Sequence, residues 1–318
     1  MSNKITGLHH VTAIASDAQK NFEFYSGILG MRMVKKTVNF DAPGIYHLYY
    51  GNEHGSPGTI MTFFIYPGIA RGHKGKGQVT ATSFSISAGS LEYWMRRLDK
   101  FGISYTKPQE RFDSESFICF EDNDGLGIEL VANTADVRDG FSDGLIPPEH
   151  SIKGFYSVTL TEESHDRTAR LLTGLMDHKL IAEESNRFRF SPDGKAGDIV
   201  DIHYSPNGSW RLGGNGTVHH VAFATPDNKS QLEVRDRLLG SGLNVTPVID
   251  RQYFRSIYFR EPGGVLFEAA TIPPGMAVDE EPGHLGESLK LPPWEEPNRE
   301  DIEKGLATIS IDLDKFRN

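Results

Sequence analysis

The chain has 318 residues, of which 38% are hydrophobic and 24% charged, the balance of a soluble globular protein of about two domains. Its formal net charge of −10 argues against nucleic acid or an anionic membrane as the main partner, because both recruit basic faces. The single cysteine, Cys119, excludes an intramolecular disulfide and the cysteine-rich zinc modules.

The opening segment MSNKITGLHH lacks the apolar core of a signal peptide. No stretch reaches the roughly 20 apolar residues of a membrane span, so a cytoplasmic protein is expected. Residues 7–15 alternate as a strand does. A helical stretch follows, SDAQKNFEFYSGILG, with Ser16 or Asp17 as N-cap and Gly30 as stop. Strand-like YHLYYG, a turn at Pro57-Gly58 and TIMTFFIY close this first unit.

The same order recurs. TATSFSIS leads into GSLEYWMRRLDKFG and then ESFICFEDNDGLGIELVA; FYSVTLTE leads into ESHDRTARLLTGLMD and then RFRFSPDGKAGDIVDIHY. VHHVAFATPD leads into NKSQLEVRDRLLGSG and then FRSIYFREPGGVLFEAA. In this last helix Leu232, Leu238 and Leu239 mark the apolar face, with Val234 off-phase. Four such repeats predict an α+β fold of four βαβββ modules, paired into two half-open mixed β-sheet cups. Beyond 272 the chain is rich in Pro and acids and reads as an arm over 273–318. Trp294 and Leu291 tie that arm to the body, and a short helix is capped at Asn298.

Two positions in the repeat carry chemistry. The first strands of units one and four hold His9-His10 and His219-His220; units two and three offer Ser83-Phe84 and Tyr156-Ser157 there. In the last strand a Gly-x-x-x-acid pattern gives Glu129, Asp201 and Glu268 in units two, three and four, where unit one has Thr62 or Phe63. Pairing units one and four yields two histidines and Glu268, the 2-His-1-carboxylate set of non-haem Fe(II) oxygenases with open coordination positions. That pairing predicts a metal-binding catalytic domain from 7–66 and 216–272, and a metal-free domain from 79–206. Neighbours on a strand face opposite ways, so one histidine of each doublet faces the cup, and alternation does not choose which. Glu268 interrupts the apolar run VLFEAAT, where an ionised carboxylate needs a partner or a cation. The remaining histidines, among them His47 in the middle of an aromatic strand, lack such an arrangement and read as structural or surface residues.

The repeated units resemble the vicinal oxygen chelate superfamily. LHHVTAIASD, YHLYYGNEHGSPGTIMTFF, VHHVAFATPD, RSIYFREPGGVLFEAAT and LGESLKLPPWEEPNR are similar to its hydroquinone-type ring-cleaving dioxygenases. The resemblance implies that the second histidine of each doublet is the ligand, which makes the metal set His10, His220 and Glu268. It implies that Thr12, His219, Tyr258 and Arg251 contact substrate or support the ligands. It further implies Fe(II), with Mn(II) also suited to the set, and a small aromatic diol and O2 as substrates; a homo-oligomer is compatible with it. Catechol-cleaving members take all three ligands from units three and four, a pattern from which Phe155-Tyr156-Ser157 departs.

A three-residue turn at Pro262-Gly263-Gly264 would set Tyr258 opposite Glu268, whereas a two-residue turn would oppose it to Phe267. His219, with an unperturbed pKa near 6.5, suits proton transfer. Two rival functions are a glyoxalase-type lyase or isomerase using Zn or Ni with a second carboxylate ligand, and a metal-free small-molecule-binding protein. Thr62 or Phe63 in the fourth ligand place argues against the first, and the joint presence of His10, His220 and Glu268 against the second.

Overall fold

The computed structural model describes residues 4–112, 115–143 and 145–317. Met1–Asn3, Asp113, Ser114, Gly144 and Asn318, which belong to segments read above, lie outside the described residues.

Module one is β1 (Leu8–Ala15), α1 (Ala18–Phe22), β2 (Arg32–Asn39), β3 (Ala42–Gly51) and β4 (Ile60–Ile65). Module two is β5 (Gln78–Ser87), α2 (Leu91–Lys100), β6 (Gln109–Arg111), β7 (Glu115–Glu121) and β8 (Gly127–Asn133). Module three is β9 (Gly154–Glu162), α3 (Asp166–Leu175), β10 (Lys179–Glu184), β11 (Arg187–Ser191) and β12 (Ile199–Tyr204). Module four is β13 (Thr217–Thr225), α4 (Asn228–Gly240), β14 (Ile249–Asp250), β15 (Arg255–Arg260) and β16 (Leu266–Thr271). One eight-stranded sheet runs β14-β15-β16-β13-β1-β4-β3-β2, and the other runs β10-β11-β12-β9-β5-β8-β7-β6. Both are mixed: β1 pairs parallel with β4 and antiparallel with β13, as β5 does with β8 and β9. The expected fold class is met.

Local chemistry sets the element ends. The Asp17 side chain caps α1 by accepting from the Lys20 N–H at 2.9 Å, while Ser16 instead bonds Asp124. After Phe22 the helix widens into a π-turn over Glu23–Ile28, and Gly30 ends the segment with φ +67°. In α4 the buried face is Val234 and Leu238 with Gln231, and Leu232 and Leu239 are exposed. Of the leucines expected on the apolar face, Leu238 is buried, but Leu232 and Leu239 are not, and Val234, expected off-phase, lies on the buried face. Gln231 takes the sheet-side place because its amide donates to the Arg255 and Ala269 carbonyls, at 2.6 and 2.8 Å.

The arm packs on module one. Leu291 joins Val38 and Ile302 in an apolar cluster, and Trp294 meets Phe40 edge-on at 5.6 Å. Asn298 precedes α5 (Arg299–Gly305), yet its side chain makes no capping bond and donates to Glu295, so the expected cap is absent. At the joint between the sheets, the Thr168 hydroxyl lies between the Glu162 and Glu261 carboxyls, at 2.7 and 2.6 Å.

The sheet registers correct one alignment made from sequence. Thr12 lies opposite His220 and Thr62, and Ser83 lies opposite Ser157 and Glu129. Ser83 is thus the counterpart of Thr12, and Thr80-Ala81 occupy the place of the first histidine doublet. Sequence comparison was three residues out in this module, because β5 has no histidine doublet to anchor the alignment and a bulge at Thr80 interrupts its alternation.

Candidate metal centre

His10 on β1, His220 on β13 and Glu268 on β16 converge, all fully or almost fully buried. His10 Nε2 lies 3.2 Å from His220 Nε2 and 3.4 Å from Glu268 Oε2, and His220 Nε2 lies 3.0 Å from that same oxygen. Two ligands at right angles on an ion with bonds of about 2.1 Å stand about 3.0 Å apart. The three atoms have the spacing of one face of such an ion. Glu268 Oε1 accepts from the Ser256 hydroxyl, which leaves Oε2 turned to the imidazoles without a good hydrogen bond. Burial opposes ionisation of Glu268, but His10 and His220 outweigh it and hold its carboxyl well below the usual range. An ionised carboxylate with an unsatisfied oxygen, facing two imidazole nitrogens, fits a divalent cation.

Both doublets sit on β-bulges. The β1–β13 register slips between Leu8 and His10, where His9 is the extra residue, and again between Thr12 and Ala13, where His219 is. A bulge breaks strict alternation and re-aims a side chain. In each doublet the two rings approach, with Nδ1 atoms 3.0 Å apart in His9-His10 and 2.8 Å apart in His219-His220. The expectation that one histidine per doublet faces the cup therefore fails for the second pair, since His219 and His220 both line the cavity. His9 is buried beside Phe254, its ring 5.0 Å away. Burial and then His10 pull its pKa down to about 3. Sequence reasoning gave His9 no role of its own.

The centre opens into a cavity of about 360 Å³, walled by Phe40, Tyr49, Phe64, Tyr66, Phe254 and Tyr258. The hairpin register pairs Tyr258 with Glu268, as a three-residue turn requires. Burial and then the Glu268 charge raise the Tyr258 pKa, so the phenol keeps its proton. The Arg251 Nε–H donates to its oxygen at 3.3 Å, and the same guanidinium pairs with Asp41 at 2.9 Å. Solvent reaches His219 through the cavity although protein surrounds the ring. Burial and then His220 push its pKa down to about 3, so the unperturbed value expected from sequence does not apply.

Thr12 is fully buried beneath the cavity and bonds Thr62 at 2.8 Å. Thr62, rather than Phe63, thus holds the place of Glu268 in module one. His47, set aside as structural, lines the cavity, with Nε2 2.8 Å from the Thr62 hydroxyl and Nδ1 3.0 Å from the Tyr49 hydroxyl. Its signal in the sequence was its place in the aromatic strand β3. The other cup has no such centre among the described residues. There Asp201 and Glu115 grip the Arg189 guanidinium, and Arg111 pairs with Glu115 and Glu129, both at 2.8 Å.

Comparisons with known proteins show the family. The family model "Glyoxalase/Bleomycin resistance protein/Dioxygenase superfamily" matches residues 7–130. A Bacillus subtilis protein named "Putative ring-cleaving dioxygenase MhqO" is 44% identical over 311 residues, 98% of this chain and 99% of its own. The chain belongs to the glyoxalase/bleomycin resistance protein/dioxygenase superfamily. Another relative in this superfamily, named chlorohydroquinone/hydroquinone 1,2-dioxygenase from Sphingobium indicum, is 33% identical, over 95% of this chain and 96% of its own. A crystal structure described as a "putative dioxygenase" from B. subtilis superposes with a TM-score of 0.94, at 43% identity over 98% of this chain and 99% of that one. Among the described residues no helix is long and apolar enough to cross a membrane.

Proposed function

We propose that this protein is an Fe(II)-dependent, extradiol-type dioxygenase that opens a hydroquinone-type aromatic ring with O2. The observation that carries the reading is the His10–His220–Glu268 cluster on the floor of an aromatic-walled cavity. Full-length similarity to proteins named as ring-cleaving and hydroquinone dioxygenases supports it. In this reading 7–66 with 216–272 form the catalytic domain, and 79–206 a metal-free one.

His10, His220 and Glu268 would hold a divalent ion, Fe(II) or Mn(II), at a net charge of about +1, and such an ion would lower the pKa of a bound phenol and offer an open position to O2. The chain's own groups do the rest. With Nε2 turned to the ion, His10 carries its proton on Nδ1 and donates it to His9, which fixes the ring. Ser256 orients Glu268. Tyr258 and Arg251 offer donors to substrate oxygens. His219, held neutral, accepts from the His220 Nδ1–H and so presents its own Nε2–H as a hydrogen-bond donor to a substrate oxygen at the cavity wall. Thr12 acts through Thr62 on His47, which keeps that imidazole aimed at the ring-binding space.

Metal analysis of protein purified without oxygen, followed by oxygen uptake on a panel of hydroquinones and catechols, tests the reading. Stoichiometric iron or manganese with uptake on hydroquinones is the expected result. Zinc or nickel without uptake would instead mark a glyoxalase-type lyase, and no metal with retained ligand binding a sequestering protein.

A further inference from the structure

His219 and Leu266 wall the cavity over the metal centre and also a second chamber of about 100 Å³. This chamber lies where the start of β5, the linker before β13 and the β15–β16 turn meet. Gln78, Arg211 and Arg260 line it. Gln78 is 2% exposed, and among the described residues its amide nitrogen and oxygen have no hydrogen-bond partner. Buried amides are ordinarily satisfied, so a buried amide turned to a chamber marks a place for a polar ligand. The two arginines face the same small space. Burial, and after it the Arg260 charge, lower Arg211 from the ordinary arginine value. Acidic residues number 43 against 33 basic ones, yet among the described residues neither guanidinium makes an ion pair with a carboxylate. Arg260 donates to the Gly264 carbonyl at 3.0 Å. Two guanidiniums and a primary amide form a donor set that matches a carboxylate.

We propose that this chamber is a carboxylate subsite of the catalytic cavity, reached past His219. The identity of its ligand rests on the ring-cleaving reading above; the donor set itself does not. Ring opening supplies the chemistry. When O2 cleaves the bond between a hydroxyl-bearing ring carbon and its neighbour, the C–C bond breaks and both oxygen atoms enter the product. The hydroxyl-bearing carbon becomes a carboxyl and its neighbour an aldehyde. Each of these carbons gives up two electrons, and O2 takes all four. The new carboxyl loses its proton at neutral pH, so an uncharged diol becomes an anion beside two arginines. A ring that already carries a carboxylate would use the same donors on the way in.

Calorimetric titration of metal-free protein with 2,5-dihydroxybenzoate and with hydroquinone tests the subsite without turnover. In the Arg211→Gln/Arg260→Gln variant the preference for the carboxylate-bearing ligand should fall on the order of tenfold. Arg260 is exposed, so Arg260→Gln alone gives a folded variant with a smaller loss in the same direction. An unchanged preference in both variants overturns the proposal. With metal-loaded protein, a raised KM for 2,5-dihydroxybenzoate at unchanged kcat assigns the carboxylate to the substrate. Relief of inhibition by the ring-opened product, seen with hydroquinone, assigns it to the product. If no hydroquinone drives oxygen uptake, the catalytic reading falls, while the calorimetric ratio still decides the subsite.

Discussion

At the scale of single residues, the site is organised by what each ring nitrogen or hydroxyl is left free to do. His9 gives His10 a partner for Nδ1, and Ser256 gives Glu268 a partner for Oε1, so the remaining atoms face the same point. Replacing His9 with Phe keeps a ring against Phe254 but removes the acceptor. Metal affinity should then fall roughly tenfold to hundredfold, read by competition with a chelator, with the fold unchanged by circular dichroism. Tyr258 makes a separate contribution, since its protonated phenol stands across the hairpin from Glu268 without touching the metal-facing oxygen. Tyr258→Phe should leave metal content intact and lower kcat by about tenfold to a hundredfold in oxygen-uptake assays; unchanged kinetics would remove it from the mechanism.

At the scale of elements, bulges and buried ion pairs decide what each cup holds. The bulge that carries His9 in β1 is present in β5 at Thr80, between Val79 and Ala81, and the one at His219 is present in β9 at Tyr156. The backbone feature thus belongs to the repeat, and chemistry follows from which residues occupy it. In the second cup the Arg189 and Arg111 guanidiniums supply the positive charge. Arg189→Met would leave the buried Asp201 with Arg187 alone, at 3.3 Å, and Glu115 with Arg111; urea denaturation should show a loss of about 3 kcal/mol, with metal content unchanged. The β9–β15/β16 joint carries a different charge problem. Burial, and then Glu261, push the Glu162 pKa up to about 9, because one Thr168 hydroxyl proton cannot satisfy two carboxylates. A carboxyl whose folded pKa lies above its ordinary value of 4.5 stabilises the fold fully below that value, and the contribution is lost as pH rises toward about 9. Glu162→Gln mimics the protonated acid. Its melting temperature should therefore gain on that of the wild type between about pH 5 and about pH 8. A pH-independent difference would show that Glu162 is ionised in the folded protein.

At the scale of the whole molecule, the candidate ligands come from opposite ends of the chain, joined by the antiparallel β1–β13 pairing. A cation bound there ties three strands of one sheet and binds the native state alone, so it must stabilise the fold by mass action. Adding a chelator should lower the melting temperature by several degrees in the wild type and leave a His10→Ala/His220→Ala variant unmoved. Equal shifts in both proteins would place the stabilising ion elsewhere. The arm takes part in shaping the cavity: Trp294 supports Phe40 from outside while Phe40 lines the space within.

The recurrence of strand, helix and hairpin, with its turn glycines, made the four modules and the fold class legible in the sequence. The two histidine doublets and the lone acid in VLFEAAT made a candidate metal site legible once the modules were paired, because few other residues can satisfy a cation in an apolar strand. Alternation could not say which histidine of a doublet turns inward, because a bulge spends one residue without advancing the pairing. Periodicity could not find the true face of α4, where a buried glutamine is bonded to strand carbonyls. Nor could it show His47 in the cavity, the low pKa of His219, or Arg211 and Arg260 meeting beside Gln78. Those depend on distances between segments far apart in the chain. Residue type and spacing thus determined the repeat and the residue types that could hold a cation; tertiary packing decided which way each group points and how strongly its surroundings charge or neutralise it.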